Sequence, residues 1–221
     1  MSNAATMRRD AKRRAQRRSQ LLYAGIAVGV VILAVLVAVL STGERDRAVS
    51  VDDIAGEPAI SGDPLSTLPA SGDDPTVGSS APTVEGADFD GTPVAIGGSG
   101  SPELVMFMAS WCPACQEELP EVVAWMEAGG VPDGVQLASV ATGLDASRPN
   151  WPPDAWFEEE GYTGRVLVDD ADGSVAQAFG LSATPFWVAL DADGQVVARI
   201  AGMLDTTQMT ALAEAAVASS G

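Results

Sequence analysis

Histidine is absent from this chain of 221 residues. That removes the commonest metal ligand and the usual general base. Two cysteines without a histidine do not make a convincing zinc site, which needs four N, S or O ligands. Basic residues are nearly absent from most of the chain. Seven of the 12 (Arg8, Arg9, Lys12, Arg13, Arg14, Arg17, Arg18) precede residue 20, and from Ala48 onward only Arg148, Arg165 and Arg199 remain. Acids are the reverse. Asp10, Glu44 and Asp46 are the only ones before Ala48, which leaves 27 of the 30 beyond it. The formal net charge is −18. A body this anionic repels phosphate and excludes nucleic acid as a partner. Its plain reading is a solvated, solubilising surface.

One long apolar run stands out. Leu21 to Leu40, LLYAGIAVGVVILAVLVAVL, carries no charge over 20 residues. At 1.5 Å per residue a helix of that length spans about 30 Å, the thickness of a hydrocarbon core. A cleaved signal peptide has a shorter apolar region and a clear small-x-small site, and Ser41-Thr42-Gly43 offers only a weak one. The run is therefore expected to be an uncleaved anchor. The basic residues before it should stay cytoplasmic, which places residues 41–221 outside. The expected organisation is a basic tail (1–20), a transmembrane anchor (21–40), a flexible linker (41–77) and one folded domain (78–221). The linker reading rests on Gly, Pro, Ser and Asp without a sustained apolar period.

Within the domain, Leu104–Met108 reads as a strand buried on both faces. A helix over 116–127 contains Pro120, expected to kink it. Strands follow at 136–140, 165–168, 186–190 and 195–200, with Asp191-Ala192-Asp193-Gly194 as a hairpin turn. Helices are expected near 154–160, 173–179 and 206–218. That order gives an α/β fold, a mixed central sheet with helices on both faces.

The only two cysteines stand in Ala109-Ser110-Trp111-Cys112-Pro113-Ala114-Cys115. As a staple, C-x-x-C closes too small a loop to add much stability. The next residue is Gln116, so the haem-attachment pattern is not met. As a redox pair the spacing makes sense. Cys112 falls at a helix N-terminus, where unpaired N–H groups and the helix dipole favour thiolate. Cys115, one turn further, is placed to resolve a mixed disulfide. No small cofactor is needed.

Trp111-Cys112-Pro113-Ala114-Cys115 with its preceding strand resembles a thioredoxin-fold active site. The blocks MFMASWCPACQEELP (106–120) and RVLVDDADGSVAQAFGLSATPFWVALDADGQVV (165–197) are similar to the membrane-anchored TlpA/ResA/DsbE-like branch of that superfamily. The resemblance covers 78–221 and is weak over 141–164. It implies a thioredoxin-like fold and thiol–disulfide exchange. It also implies a cis peptide at Thr184-Pro185, facing Cys112 and Cys115 and receiving the substrate chain. Glu118 takes the place of a glutamate that tunes the thiols, against the plainer reading of a solvated first-turn acid. Trp111 shields the thiolate and contacts substrate, or packs at the strand end. Met106 replaces the buried aspartate of thioredoxin itself. The implied partners are disulfide- or dithiol-containing exported proteins, an apocytochrome among them if the protein is a reductant, and a membrane thiol–disulfide electron carrier. Pro113-Ala114 and the nearby acids Glu117 and Glu118 push the redox potential in opposite directions. Two rivals are a thiol peroxidase, whose Thr or Ser three residues before the cysteine is here Ala109, and a tethered binding module with an inert disulfide.

Overall fold

The computed structural model describes residues 49–220. The anchor expected at Leu21–Leu40 lies outside them, as do the basic tail before it and residues 41–48 of the expected linker. Among the described residues no helix is long and apolar enough to cross a membrane.

The described residues form eight strands and five helices in order: α1 (Val51–Ile54), β1 (Ala59–Ser61), β2 (Thr83–Ala87), β3 (Pro93–Ile96), β4 (Glu103–Met108), α2 (Pro113–Glu127), β5 (Gln136–Ala141), α3 (Pro153–Glu159), β6 (Arg165–Val168), α4 (Ser174–Ala178), β7 (Phe186–Leu190), β8 (Val196–Ala201) and α5 (Thr206–Ala218). The central sheet has the order β6-β5-β4-β7-β8. β4, β5 and β6 are parallel, whereas β7 is antiparallel to both β4 and β8. β1, β2 and β3 form a separate antiparallel sheet.

β4 explains how the sheet is covered. Every one of its residues is buried. Because strand side chains alternate, Leu104, Met106 and Met108 join one core and Val105 and Phe107 the other. The first core is closed by α2, α3 and α5, through residues such as Leu119, Trp125, Phe157 and Met209. The second is closed only in part by a helix, the short α4. The rest of its cover is Val84, Val94 and Ile96 of the small sheet and Leu65 before it. Helices on both faces were expected; one face is instead roofed mainly by strands.

The N-terminal segment differs most from expectation. The stretch expected as a flexible linker is packed on the domain from Val49. β1 pairs with β2. The N–H groups of Leu65 and Leu68 donate to the carbonyls of Ala178 and Gly180. Asp74 forms a 2.7 Å ion pair with the fully buried Arg199 side chain. The order comes from single long-range contacts rather than from an apolar period, so composition alone gave no sign of it. The β2–β3 hairpin was also unforeseen. Pro120 lies inside α2 without ending it.

Candidate active site

β4 ends at Met108, and after three intervening residues the chain enters α2 with Cys112 as its N-cap and Pro113 at its first position. Pro is favoured there because its missing N–H would be unpaired anyway. Both cysteines are free; Cys112 is 8% exposed and Cys115 0%. The Cys112 thiol lies 3.4 Å from the carbonyl oxygen of Thr184, in the loop that enters β7. The Thr184-Pro185 peptide is cis. Two segments 72 residues apart in sequence thus meet at the sulfur.

The two thiols are driven apart electrostatically. Burial raises the Cys112 pKa, but hydrogen bonds from the Thr184 side chain, from Cys115 and from the backbone at the helix start outweigh it, and the net shift is downward. Burial, helped by the neighbouring Cys112 sulfur, pushes Cys115 up to about 12. Of the two thiols Cys112 is the more readily deprotonated, and Cys115 is the one that holds its proton. The sign is testable. Alkylation of the reduced protein by iodoacetamide should occur at Cys112 alone, and its rate should fall as pH drops through a midpoint below the ordinary thiol value of about 8.5. Modification of Cys115 at a comparable rate near pH 7, or a Cys112 midpoint above that value, would contradict this arrangement.

Glu118 is fully buried. It lies one turn after Cys115, so both project from the same face of α2. Its Oε1 accepts hydrogen bonds from the indole N–H of Trp187 (3.0 Å) and the backbone N–H of Leu204 (2.6 Å). Its Oε2 is buried with no hydrogen-bond partner. Burial raises the Glu118 pKa to about 7, although both donors oppose the shift. The reading of Glu118 as a solvated first-turn acid therefore fails. Trp187 and Leu204 were not foreseen as neighbours of the site. Trp187 carried a signal: an indole N–H in an otherwise apolar strand needs a buried acceptor.

Trp111 is half-buried and packs against the first core. Its indole N–H donates to the carbonyl of Gly143 at 2.7 Å. Trp156, in α3, is buried in the first core, and the indole of Trp151 donates to the carbonyl of Val49.

The profile of the family described as Redoxin matches residues 76–217. The chain belongs to the Redoxin family. The Redoxin match takes in β2 through nearly all of α5, and with them both cysteines, Glu118 and the Thr184-Pro185 turn. Among curated relatives, the methylamine utilization protein MauD of Methylophilus methylotrophus is 30% identical over 61% of this chain and 59% of its own length. The thiol:disulfide interchange protein DsbE of Pseudomonas aeruginosa is 27% identical over 48% and 54%. The chain thus spans somewhat over half the length of these relatives. Among solved structures, a thiol:disulfide interchange protein of the thioredoxin family from Chlorobium tepidum shares the fold. Its TM-score is 0.51 at 22% identity, covering 66% of this chain and 99% of that one. The fold is thioredoxin-like, as the WCPAC block implied.

Proposed function

We propose that this Redoxin chain is a membrane-anchored, extracytoplasmic thiol–disulfide oxidoreductase. One observation carries the chemistry. A slightly exposed cysteine with a lowered pKa sits beside a fully buried one whose pKa is raised to about 12, both at the start of α2. That is a division between attacking and resolving thiols, which a structural disulfide does not need. The relative DsbE, a thiol:disulfide interchange protein, agrees with it.

In the reducing direction, the Cys112 thiolate attacks one sulfur of a substrate disulfide. A Cys112–substrate S–S bond forms, and the other substrate sulfur leaves as thiolate and takes a proton from water. Cys115 then gives up its proton and attacks Cys112. The Cys112–Cys115 bond forms and the second substrate sulfur leaves. Two electrons have passed to the substrate, and the oxidising direction is the reverse. Glu118 assists as the proton acceptor for Cys115. With a pKa of about 7 it exchanges a proton readily at neutral pH, and Oε2 is the oxygen left open for it. The backbone at Thr184 and Pro185, beside the Cys112 sulfur, receives the substrate chain, with Trp111 at the edge of the same site.

The location rests on the uncharged run Leu21–Leu40 and the basic cluster before it. It makes exported proteins the clients and a membrane thiol–disulfide carrier the electron partner.

The test is exchange with a small disulfide and the potential of the pair. Reduced protein should reduce hydroxyethyl disulfide with loss of both free thiols. Glu118→Gln keeps an oxygen for Trp187 and Leu204 but cannot take a proton, and should slow the resolving step by about 100-fold or more. Equilibration in glutathione buffers gives the direction. A value at or below about −250 mV makes the protein a reductant, and one near about −120 mV an oxidant. A pair that no buffer in this range opens or closes would leave an inert disulfide and sink the reading.

A further inference from the structure

The connection between β5 and α3 is organised in a way the core does not require. Residues 146–150 are all exposed. Yet the segment is fastened at both ends to the two residues that precede Cys112. Gly143 accepts the indole N–H of Trp111 at 2.7 Å, and the Asn150 side-chain amide donates to the carbonyl of Ser110 at 3.1 Å. Both pinning residues have left-handed backbone, with φ of 62° at Gly143 and 55° at Asn150. Between them Asp145 folds the loop. Its Oδ1 accepts from the Ser147 backbone N–H and hydroxyl, and its carbonyl from the Arg148 N–H. The product is one placement: the guanidinium of Arg148 lies over the Trp111 ring, 4.4 Å from its centroid.

The charge inventory makes that placement unusual. Residues 49–220 hold three cations and no lysine. Arg165 pairs with Glu103 and Arg199 with Asp74, each at 2.7 Å. Arg148 is in no ion pair among the described residues. Asp145 is close enough for the two charges to interact, but its Oδ1 is engaged by Ser147. Stacking uses the face of a guanidinium and leaves its edge N–H donors free. Those donors suit a carboxylate, which they can grip at two oxygens. A carboxylate-bearing chain approaching this anionic domain is repelled by most of its surface and attracted at Arg148, over the tryptophan that precedes Cys112.

We propose that Arg148 is a specificity-determining residue, selecting substrates that carry a carboxylate within a few residues of the reacting cysteine. The proposal rests on the reading of Cys112 as the attacking thiol, and its test separates the two. Second-order rates would be measured for the reduced full chain with three substrates. These are hydroxyethyl disulfide and two disulfide-linked peptide dimers, with Glu or Lys two residues from the cysteine. Failure of the wild type to reduce any of them strikes at Cys112 chemistry itself. With that chemistry present, the Glu peptide should outpace the Lys peptide. Arg148→Ala should lower the ratio of the Glu-peptide rate to the hydroxyethyl disulfide rate by about fivefold. Arg148→Glu should reverse the peptide preference, Arg148→Lys should restore part of it, and 0.5 M salt should compress all the differences. A peptide preference that Arg148→Glu leaves in place overturns the proposal. So does an equal fall in all three rates with a shifted Cys112 alkylation midpoint, because Arg148 would then act on the thiolate rather than on the substrate.

Discussion

Replacing Cys115 with serine should abolish turnover and leave Cys112 locked in mixed disulfides with its substrates. The expected loss is on the order of 10³-fold or more, because the step removed has no substitute. Cys112 keeps its lowered pKa from Thr184 and the helix start, so the first exchange still occurs. The resolving thiol is what is missing. Its position, fully buried behind Cys112, leaves an external thiol only the exposed side of the adduct to attack. The companion change Cys112→Ser should behave oppositely. Cys115 is buried with a pKa of about 12, so it neither meets nor attacks a substrate disulfide, and few adducts should form. Non-reducing electrophoresis and mass spectrometry after incubation with a peptide disulfide would read both. Equal trapping by the two variants, or turnover surviving in Cys115→Ser, would reverse the assignment of roles. An inert binding module would trap nothing with either.

The largest expected effect on stability lies far from the thiols. Asp74→Ala should cost about 3–5 kcal/mol, seen as a lower urea midpoint. The Arg199 side chain is fully buried, and its guanidinium makes four hydrogen bonds. Nε and one terminal nitrogen donate to Asp74 at 2.8 and 2.7 Å, and the other donates to the carbonyls of Ser66 and Phe179, each at 2.8 Å. Arginine cannot shed its proton in a protein. Removing Asp74 therefore leaves a buried charge with no counter-charge. The double change Asp74→Ala with Arg199→Met should recover much of the loss, since an apolar side chain tolerates the same burial. The pH dependence has a defined sign. The hydrogen bond and charge of Arg199, with Thr76, outweigh burial and hold Asp74 at about 2, below its ordinary value. A lowered acid contributes stability above its unfolded pKa of about 3.9 and loses it as pH falls from there towards about 2. Asp74→Ala should flatten that acid limb. If residues 49–77 were a loose tether, neither the midpoint nor the acid limb would change.

Much of the domain was legible because its signals are local. The apolar run at 104–108 is β4, buried on both faces. The hairpin turn at 191–194 joins β7 and β8, and Asp205 caps α5 with its side chain accepting the Gln208 N–H. The C-x-x-C pair stands between a buried strand and a helix start, as its flanking sequence indicated. The 49–77 segment was not legible. Leu65 buries alone among polar neighbours, and Asp74 finds its partner 125 residues away. The 143–150 loop was equally silent: its shape depends on Trp111 and Ser110, which no periodicity connects to Gly143 or Asn150.

The amino-acid order alone determined which atoms could do chemistry: two thiols, one turn apart at a helix start, in a chain without histidine. Propensity, period and spacing act over a few residues, and those choices need nothing more. Tertiary structure decided how the atoms behave. Burial separates the two thiols in pKa, Trp187 and Leu204 fix the Glu118 carboxylate, Thr184 comes to the Cys112 sulfur, and Arg148 settles over Trp111. Desolvation and hydrogen bonding depend on what surrounds a group in space, and most of those neighbours come from segments that only the folded sheet brings together.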